Sequence, residues 1–404
     1  MAAIGGLHLG AMPDDVGQVF PTVIACKLRQ HVETSIKGTF EDGWEVEALA
    51  SSEYICARHL REMGADEAHK LGIAALNKAL DLRSVQSNQH LALATPGDDF
   101  ITLYKSSARQ ILLFATTTTR NISVLSATTI MRTDGTIERP ESQRGPVWNR
   151  AFRYYRLSQL AADPYDAYRN LYLAFETLME QLFPRFQNER EGKWVRRCFT
   201  NLHQQHDLKA FAPAGHKAPS EFLFGTLYES IRCNLFHSSS AKTILPYYET
   251  DSSKLLSAYQ ILLSIWRTVS ANHLRTSVNG DVITYRGFAT MMAALYQGSL
   301  AFKVTADDSR PTVQDTTISP RGELEYALEE VRYRGEAEPG VVRINVTDRH
   351  PRRIPKFHRY GLFVNDTPIA IGLLEGLDLA GVDEFNVRYS DRLVQGNQPR
   401  VRFG

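Results

Sequence analysis

The chain is poor in the features that mark several large functional classes. Its 404 residues hold only four cysteines. Cys26, Cys56, Cys198 and Cys233 are scattered without paired spacing. That pattern argues against a disulfide framework or a zinc knuckle and fits a reducing, cytoplasmic setting. No apolar run approaches the roughly 20 residues a membrane helix needs, so no membrane partner is expected. The N-terminus has no basic stretch leading into an apolar core, as a signal peptide would. Charge of either sign is not in excess: 46 Lys and Arg face 45 Asp and Glu, for a net +1. Any nucleic-acid site must therefore be local. Gly-rich phosphate loops, a nucleophile elbow, kinase signatures and internal repeats are also missing.

What is present changes character along the chain. Residues 1–150 read as an N-terminal α+β domain. Val19–Leu28 suits a strand, Ser52–Met63 reads as helical, and Asp66–Leu82 as a second helix. Leu91–Ala94, Ile101–Tyr104, Gln110–Thr117 and Ile122–Met131 are β-rich. The last two suggest a hairpin through Thr118–Asn121, and Asp134-Gly135 signals another turn. Arg139–Trp148 reads as a linker. Residues 151–275 are helical. Asp163-Pro164 is a cap followed by a first-turn proline, and Tyr168, Leu171, Phe175, Leu178 and Leu182 then recur at three and four. Glu189–Gln205 and a run from about Asp251 through Trp266 and Val269 carry similar stripes. Residues 276–404 read as a β-rich C-terminal region. It has a turn at Asn279-Gly280, short helices at Phe288–Leu295 and Glu323–Val331, and strands at Val341–Thr347, Tyr360–Val364, Pro368–Leu374 and Glu384–Tyr389.

One stretch, Glu221 to Ala241, concentrates the chemistry. Phe224, Leu227, Tyr228, Ile231 and Leu235 form an apolar stripe, Ser220 suits the N-cap, and Ser238–Ser240 end the helix. Arg232 and His237 lie near its last turn. The arginine offers a planar fork of donors for phosphate oxygens, and histidine titrates near neutrality. Five residues apart, they sit roughly 140° apart on a regular helix. They converge only if the last turn unwinds or a partner chain intervenes.

Arg232-Cys233-Asn234-Leu235-Phe236-His237 resembles the signature of the HEPN superfamily, Apea-like branch, over about residues 163–273. Leu235, Phe236 and His237 match. Cys233 departs from the polar residue usual after the arginine, and Asn234 comes one position late. The resemblance implies a central all-α four-helix bundle, flanked here by the N-terminal α+β domain and the C-terminal β-rich region. It implies a metal-independent endoribonuclease of toxin or phage-defence type, working as a homodimer whose motifs face each other. On that reading Arg232 stabilises the scissile phosphate, His237 is the general base or acid, and Asn234 orients the histidine or touches the phosphate. The flanking parts would be sensors, or bind a regulatory partner protein. The Cys233 departure favours the alternative, a non-catalytic HEPN-like module that binds RNA or a protein.

Tyr228 and Glu229, one turn before Arg232, are candidate supporting groups, and Glu176 and Glu180, one turn apart on the helix after Pro164, are candidates to pair with Arg232 or orient His237. Lys193, Trp194, Arg196 and Arg197 form a basic stretch with an aromatic, and Lys242 follows the motif. Arg352, Arg353, Lys356 and Arg359 form the densest basic run. These nine are the candidate RNA contacts, set against ordinary solvated faces. His203, His206 and His216 lack a placed acid, so no metal and no cofactor are expected.

Overall fold

The computed structural model describes residues 1–10, 19–86, 89–95, 97–120, 146–161, 163–236, 249–276 and 283–393, with a few isolated positions between 122 and 138. The chain divides into two compact units. One joins Met1–Asn121 to Ile283–Leu393, and the other holds Ile122–Val282 with Val394–Gly404.

The first unit is built from two sheets. The N-terminal segment supplies β1 (Ala3–Ile4), β2 (Leu7–His8), β3 (Thr22–Lys27), β4 (Ile36–Thr39), β5 (Glu45–Ala48), β6 (Tyr54–His59), α1 (Ala65–Gln86), β7 (Phe100–Ser106) and β8 (Arg109–Arg120). The C-terminal segment adds α8 (Tyr285–Leu295), β11 (Leu300–Thr305), β12 (Glu325–Ala327), β13 (Glu330–Glu338), β14 (Val341–Asp348), β15 (Phe357–Val364), β16 (Thr367–Asp378) and β17 (Glu384–Leu393). Nine strands run in the order β13-β14-β17-β8-β7-β3-β6-β5-β4, and six in the order β12-β11-β15-β16-β1-β2. Both sheets mix strands from the two ends of the chain. The join in the larger sheet is the parallel pairing of β17 with β8, from Glu384 opposite Ile111 to Leu393 opposite Arg120. Helix α1 lies on β3, β6 and β7. Gly72 permits this close approach, because a Cβ there would strike Ile24 of β3.

The second unit contains the short strands β9 (Ile130–Met131) and β10 (Ile137–Glu138), which pair around the expected turn at Asp134. Its helices are α2 (Ala151–Leu160), α3 (Pro164–Leu182), α4 (Glu191–Gln205), α5 (Pro219–Leu223), a π-helical stretch Phe224–Arg232, α6 (Cys233–Phe236) and α7 (Glu249–Leu274). Asp163 caps α3 by accepting from the N–H groups of Tyr165 and Asp166. Most of the stripe residues are buried, with Leu182, Tyr228 and Leu235 packed half-buried at the edge. Tyr168, Leu171, Phe175, Phe199, Leu227, Leu262 and Trp266 meet in one apolar core. Each such side chain, fully buried, stabilises by about 1.5–3 kcal/mol.

The expected architecture is overturned. The protein is a mixed α/β chain dominated by two large sheets, not a central all-α four-helix bundle with separate flanking domains. The physical reason is strand pairing across the whole chain. The expected N- and C-terminal parts complete each other's sheets, and the helical unit is inserted between them. Local misreadings follow. The expected helix at Ser52–Met63 is strand β6, buried on both faces, so its side chains do not alternate. The expected helix at Glu323–Val331 is β12 and the start of β13, a charged edge strand. Leu274 ends α7, so the segment leading to the expected Asn279-Gly280 turn begins in a helix. The hairpin the structure describes is β7–β8, turning at Ser107 and Ala108, both at positive φ. Of the expected turn, Thr118–Arg120 continue β8, while Asn121 and most of Ile122–Met131 lie outside the described residues. Asn279-Gly280 and most of the linker lie outside the described residues.

Candidate functional site

The helix expected from Glu221, the third sequence helix of the 151–275 region, starts at Pro219 rather than at a Ser220 cap. After five residues it loosens into i→i+5 bonding, with the Cys233 N–H donating to the Tyr228 carbonyl. The neighbouring helix supplies a cause. Tyr168 of α3 donates its buried hydroxyl to the Leu227 carbonyl at 2.8 Å. A side chain entering the ladder is a recognised source of such distortions, and π-helical turns are frequent at functional sites.

Arg232 closes this stretch with its side chain only 12% exposed. Its Nη2 lies 2.5 Å from Glu191 Oε1 at the start of α4. Its guanidinium sits 5.0 Å from the centre of the Phe236 ring, 5.4 Å from Tyr228 and 6.0 Å from Tyr172. Burial works against the charge, but Glu191 and its neighbours more than offset this and raise the arginine above its ordinary value. Glu176, one turn after Tyr172, holds its proton to higher pH than usual. Burial is the main cause and Glu191 the next, despite Arg232. The Tyr228 phenol is pushed up to about 12, again by burial first and Glu191 second. The site is therefore a fixed cation, a protonatable carboxyl and a ring of aromatics.

The other expected members are dispersed. His237 and Lys242 lie outside the described residues. Asn234 donates its amide to the Ser230 carbonyl of its own helix at 2.8 Å. Glu229 is exposed beside Arg196, at 3.9 Å. Glu180 is half-buried one turn beyond Glu176. Lys193 is exposed, whereas Trp194 is in the core with its indole N–H on the Phe183 carbonyl. Arg196 sits over the Phe224 ring and 3.4 Å from Glu221. Arg197 pairs with Glu189 at 2.7 Å over Phe186. In the first unit, Arg352 reaches Asp383 at 3.1 Å, and Arg353 pairs with the buried Asp348. Lys356 is exposed. Arg359 is fully buried against Asp315 and Ser309.

Sequence reasoning missed Glu191, Tyr172 and Phe236 as partners of Arg232. Phe236 follows the arginine by one turn, which was a usable signal. Glu191 and Tyr172 come from other helices and carried none. Among the described residues, no group of three or more His, Cys, Asp and Glu is placed to hold a metal. His206 Nε2 lies 3.3 Å from His273 Nε2, while His216 packs on Phe222. No described helix is long and apolar enough to cross a membrane. In comparisons with known proteins, the chain matches no family model, no curated protein and no solved structure.

Proposed function

We propose that the chain is a metal-independent ribonuclease similar to HEPN enzymes, with Arg232 and His237 as its working pair. One observation carries the reading. The Arg232 guanidinium is set in place over three aromatic rings and held by Glu191, at the end of a π-helical stretch five residues before His237. A cation fixed in this way stabilises developing phosphate charge without reorganising during the reaction. His237 would take the proton of the ribose 2′-hydroxyl, leaving a 2′,3′-cyclic phosphate and a 5′-hydroxyl. Asn234 remains a candidate phosphate contact. RNA is the partner, a homodimer would let one chain's arginine serve the other's histidine, and the unbridged cysteines suit the cytoplasm. The toxin and antiviral roles implied by the resemblance find no support in the fold or the comparisons and are dropped.

A second reading has its own observation. Glu191 already neutralises Arg232, and Glu176 stands beside them. Two carboxylates disfavour a phosphate at this arginine. On this reading Arg232 is a structural tie in a non-catalytic module that binds RNA or a protein. An RNA cleavage assay in EDTA separates the two. Catalysis predicts cyclic-phosphate products from wild type, reduced at least about 100-fold in Arg232→Lys and His237→Ala proteins that melt as wild type does. Inert wild type, with Arg232→Lys altering only stability, establishes the second reading.

A further inference from the structure

The two sheets of the first unit leave a cleft between them of about 310 Å³, a volume at the lower end of small-molecule pockets. Phe114, Tyr360, Ile371 and Leu373 form its apolar walls, and Lys27, Asp99 and Thr117 stand at its rim.

The walls are preset. Tyr360 lies opposite Gly372 in the β15–β16 register, and a Cβ on Gly372 would run into its ring. The ring stacks on Phe302 at 5.8 Å and meets Phe114 edge-on at 5.1 Å. Its hydroxyl bonds Thr116 Oγ1 at 2.9 Å, tying the sheets together beside the opening. A wall already rigid before binding lowers the ordering cost of a ligand.

The rim is electrostatically one-sided. Lys27 Nζ is neutralised by Glu53 at 2.6 Å. Asp99 accepts from Thr95 Oγ1 at 2.6 Å and from the Thr117 N–H at 3.1 Å, but has no cationic partner among the described residues. Lys27, Glu53 and Asp99 together leave one negative charge. Tyr360 is pushed up to about 12, mainly by burial, with Asp99 adding to the shift. Tyr54 is raised by burial first, then by Tyr360, Glu375 and Asp99.

We propose that this cleft binds a small organic cation, an aryl- or alkylamine whose ammonium meets Asp99 and whose apolar body lies against Phe114, Tyr360 and Leu373. Aromatic faces near a desolvated ammonium add attraction, and a carboxylate ligand would be repelled. This site is independent of the Arg232 reading.

Calorimetric titration of the full chain with tryptamine tests it, with indole-3-propionate as the matched acid. Tryptamine is expected to bind in the low-millimolar range or tighter and to raise the melting temperature, while the acid does not bind. Asp99→Asn should weaken tryptamine at least about tenfold, the loss of a charge-assisted contact. Leu373→Trp fills the cleft and should abolish binding while keeping the far-UV spectrum. The proposal is overturned if tryptamine fails to bind, if the acid binds equally well, or if tryptamine binds Leu373→Trp as it binds wild type. Unchanged affinity in a folded Asp99→Asn protein overturns the assigned contact.

Discussion

At the scale of single residues, the buried ions carry the most concentrated energetics. The Arg58 side chain is fully buried, 3.1 Å from Glu45 and 2.6 Å from Glu47, and donates twice to the His8 carbonyl. Arg58→Leu would leave two carboxylates largely out of water without a counter-charge. We expect a loss of about 3–5 kcal/mol, read from urea unfolding; a loss below about 1 kcal/mol would show that the acids find another partner. Glu189 behaves differently with pH. Hydrogen bonding from Arg197 is the leading reason its carboxyl sits at about 2, below the ordinary 4.5. The folded form binds fewer protons between those values. Its stabilisation is therefore present above pH 4.5 and is lost as pH falls toward 2. Arg197→Gln should flatten the unfolding midpoint across that window. His206, lowered by burial first and by His273 second, acts in a higher window. Its neutral form is favoured in the fold, so stability falls as pH drops through its ordinary 6.5. None of these pairs was legible in sequence: Glu45 and Glu47 reach Arg58 by strand register, His273 reaches His206 from another helix, and Glu189 folds back onto Arg197 from the turn that enters α4.

At the scale of elements, two close approaches decide geometry. Gly72 lets α1 lie on β3. Gly72→Ala gains up to about 1 kcal/mol of helix propensity but overpacks Ile24 by about 1–3 kcal/mol, so the protein should lose stability. Pairing it with Ile24→Ala should give less than the sum of the single losses, measured as a double-mutant cycle. Along the third sequence helix, the Tyr168 hydroxyl holds the Leu227 carbonyl. Tyr168→Phe should cost about 1 kcal/mol in denaturant unfolding, the usual worth of one hydrogen bond. An unchanged midpoint would mean the π-helical stretch holds without it. The apolar stripe of this helix was visible in sequence, but the loosening was not, since it depends on a side chain 59 positions away. Helix α2 lies within the stretch read as helical, but its bounds were not legible. It buries little beyond Ala151 and Ser158, so no stripe announces it. It is held instead by Ser158 and Gln159 on the Tyr259 hydroxyl and by Tyr155 stacked on Trp266.

At the scale of the whole molecule, the first unit depends on both ends of the chain. β8 has β7 on one side and β17 on the other. A fragment of residues 1–121 would expose β8 as an edge of 12 residues with its apolar face open. Such edges drive association. We expect this fragment to aggregate alone and to recover sheet structure by circular dichroism when residues 283–393 are supplied. A monomeric, cooperatively melting fragment would contradict the shared-sheet architecture.

The sequence by itself determined helix stripes, the Asp163 cap, α1, and most strands after position 340. Each rests on periodicity or capping over a few residues. It also singled out Arg232 through a short local pattern. Tertiary structure alone decided that the chain's two ends share sheets, that Ser52–Met63 holds a strand, and that Arg232 faces Glu191 and Tyr172. Those outcomes depend on contacts between residues far apart in sequence, where local propensity is silent and burial on both faces removes the alternation a strand would show.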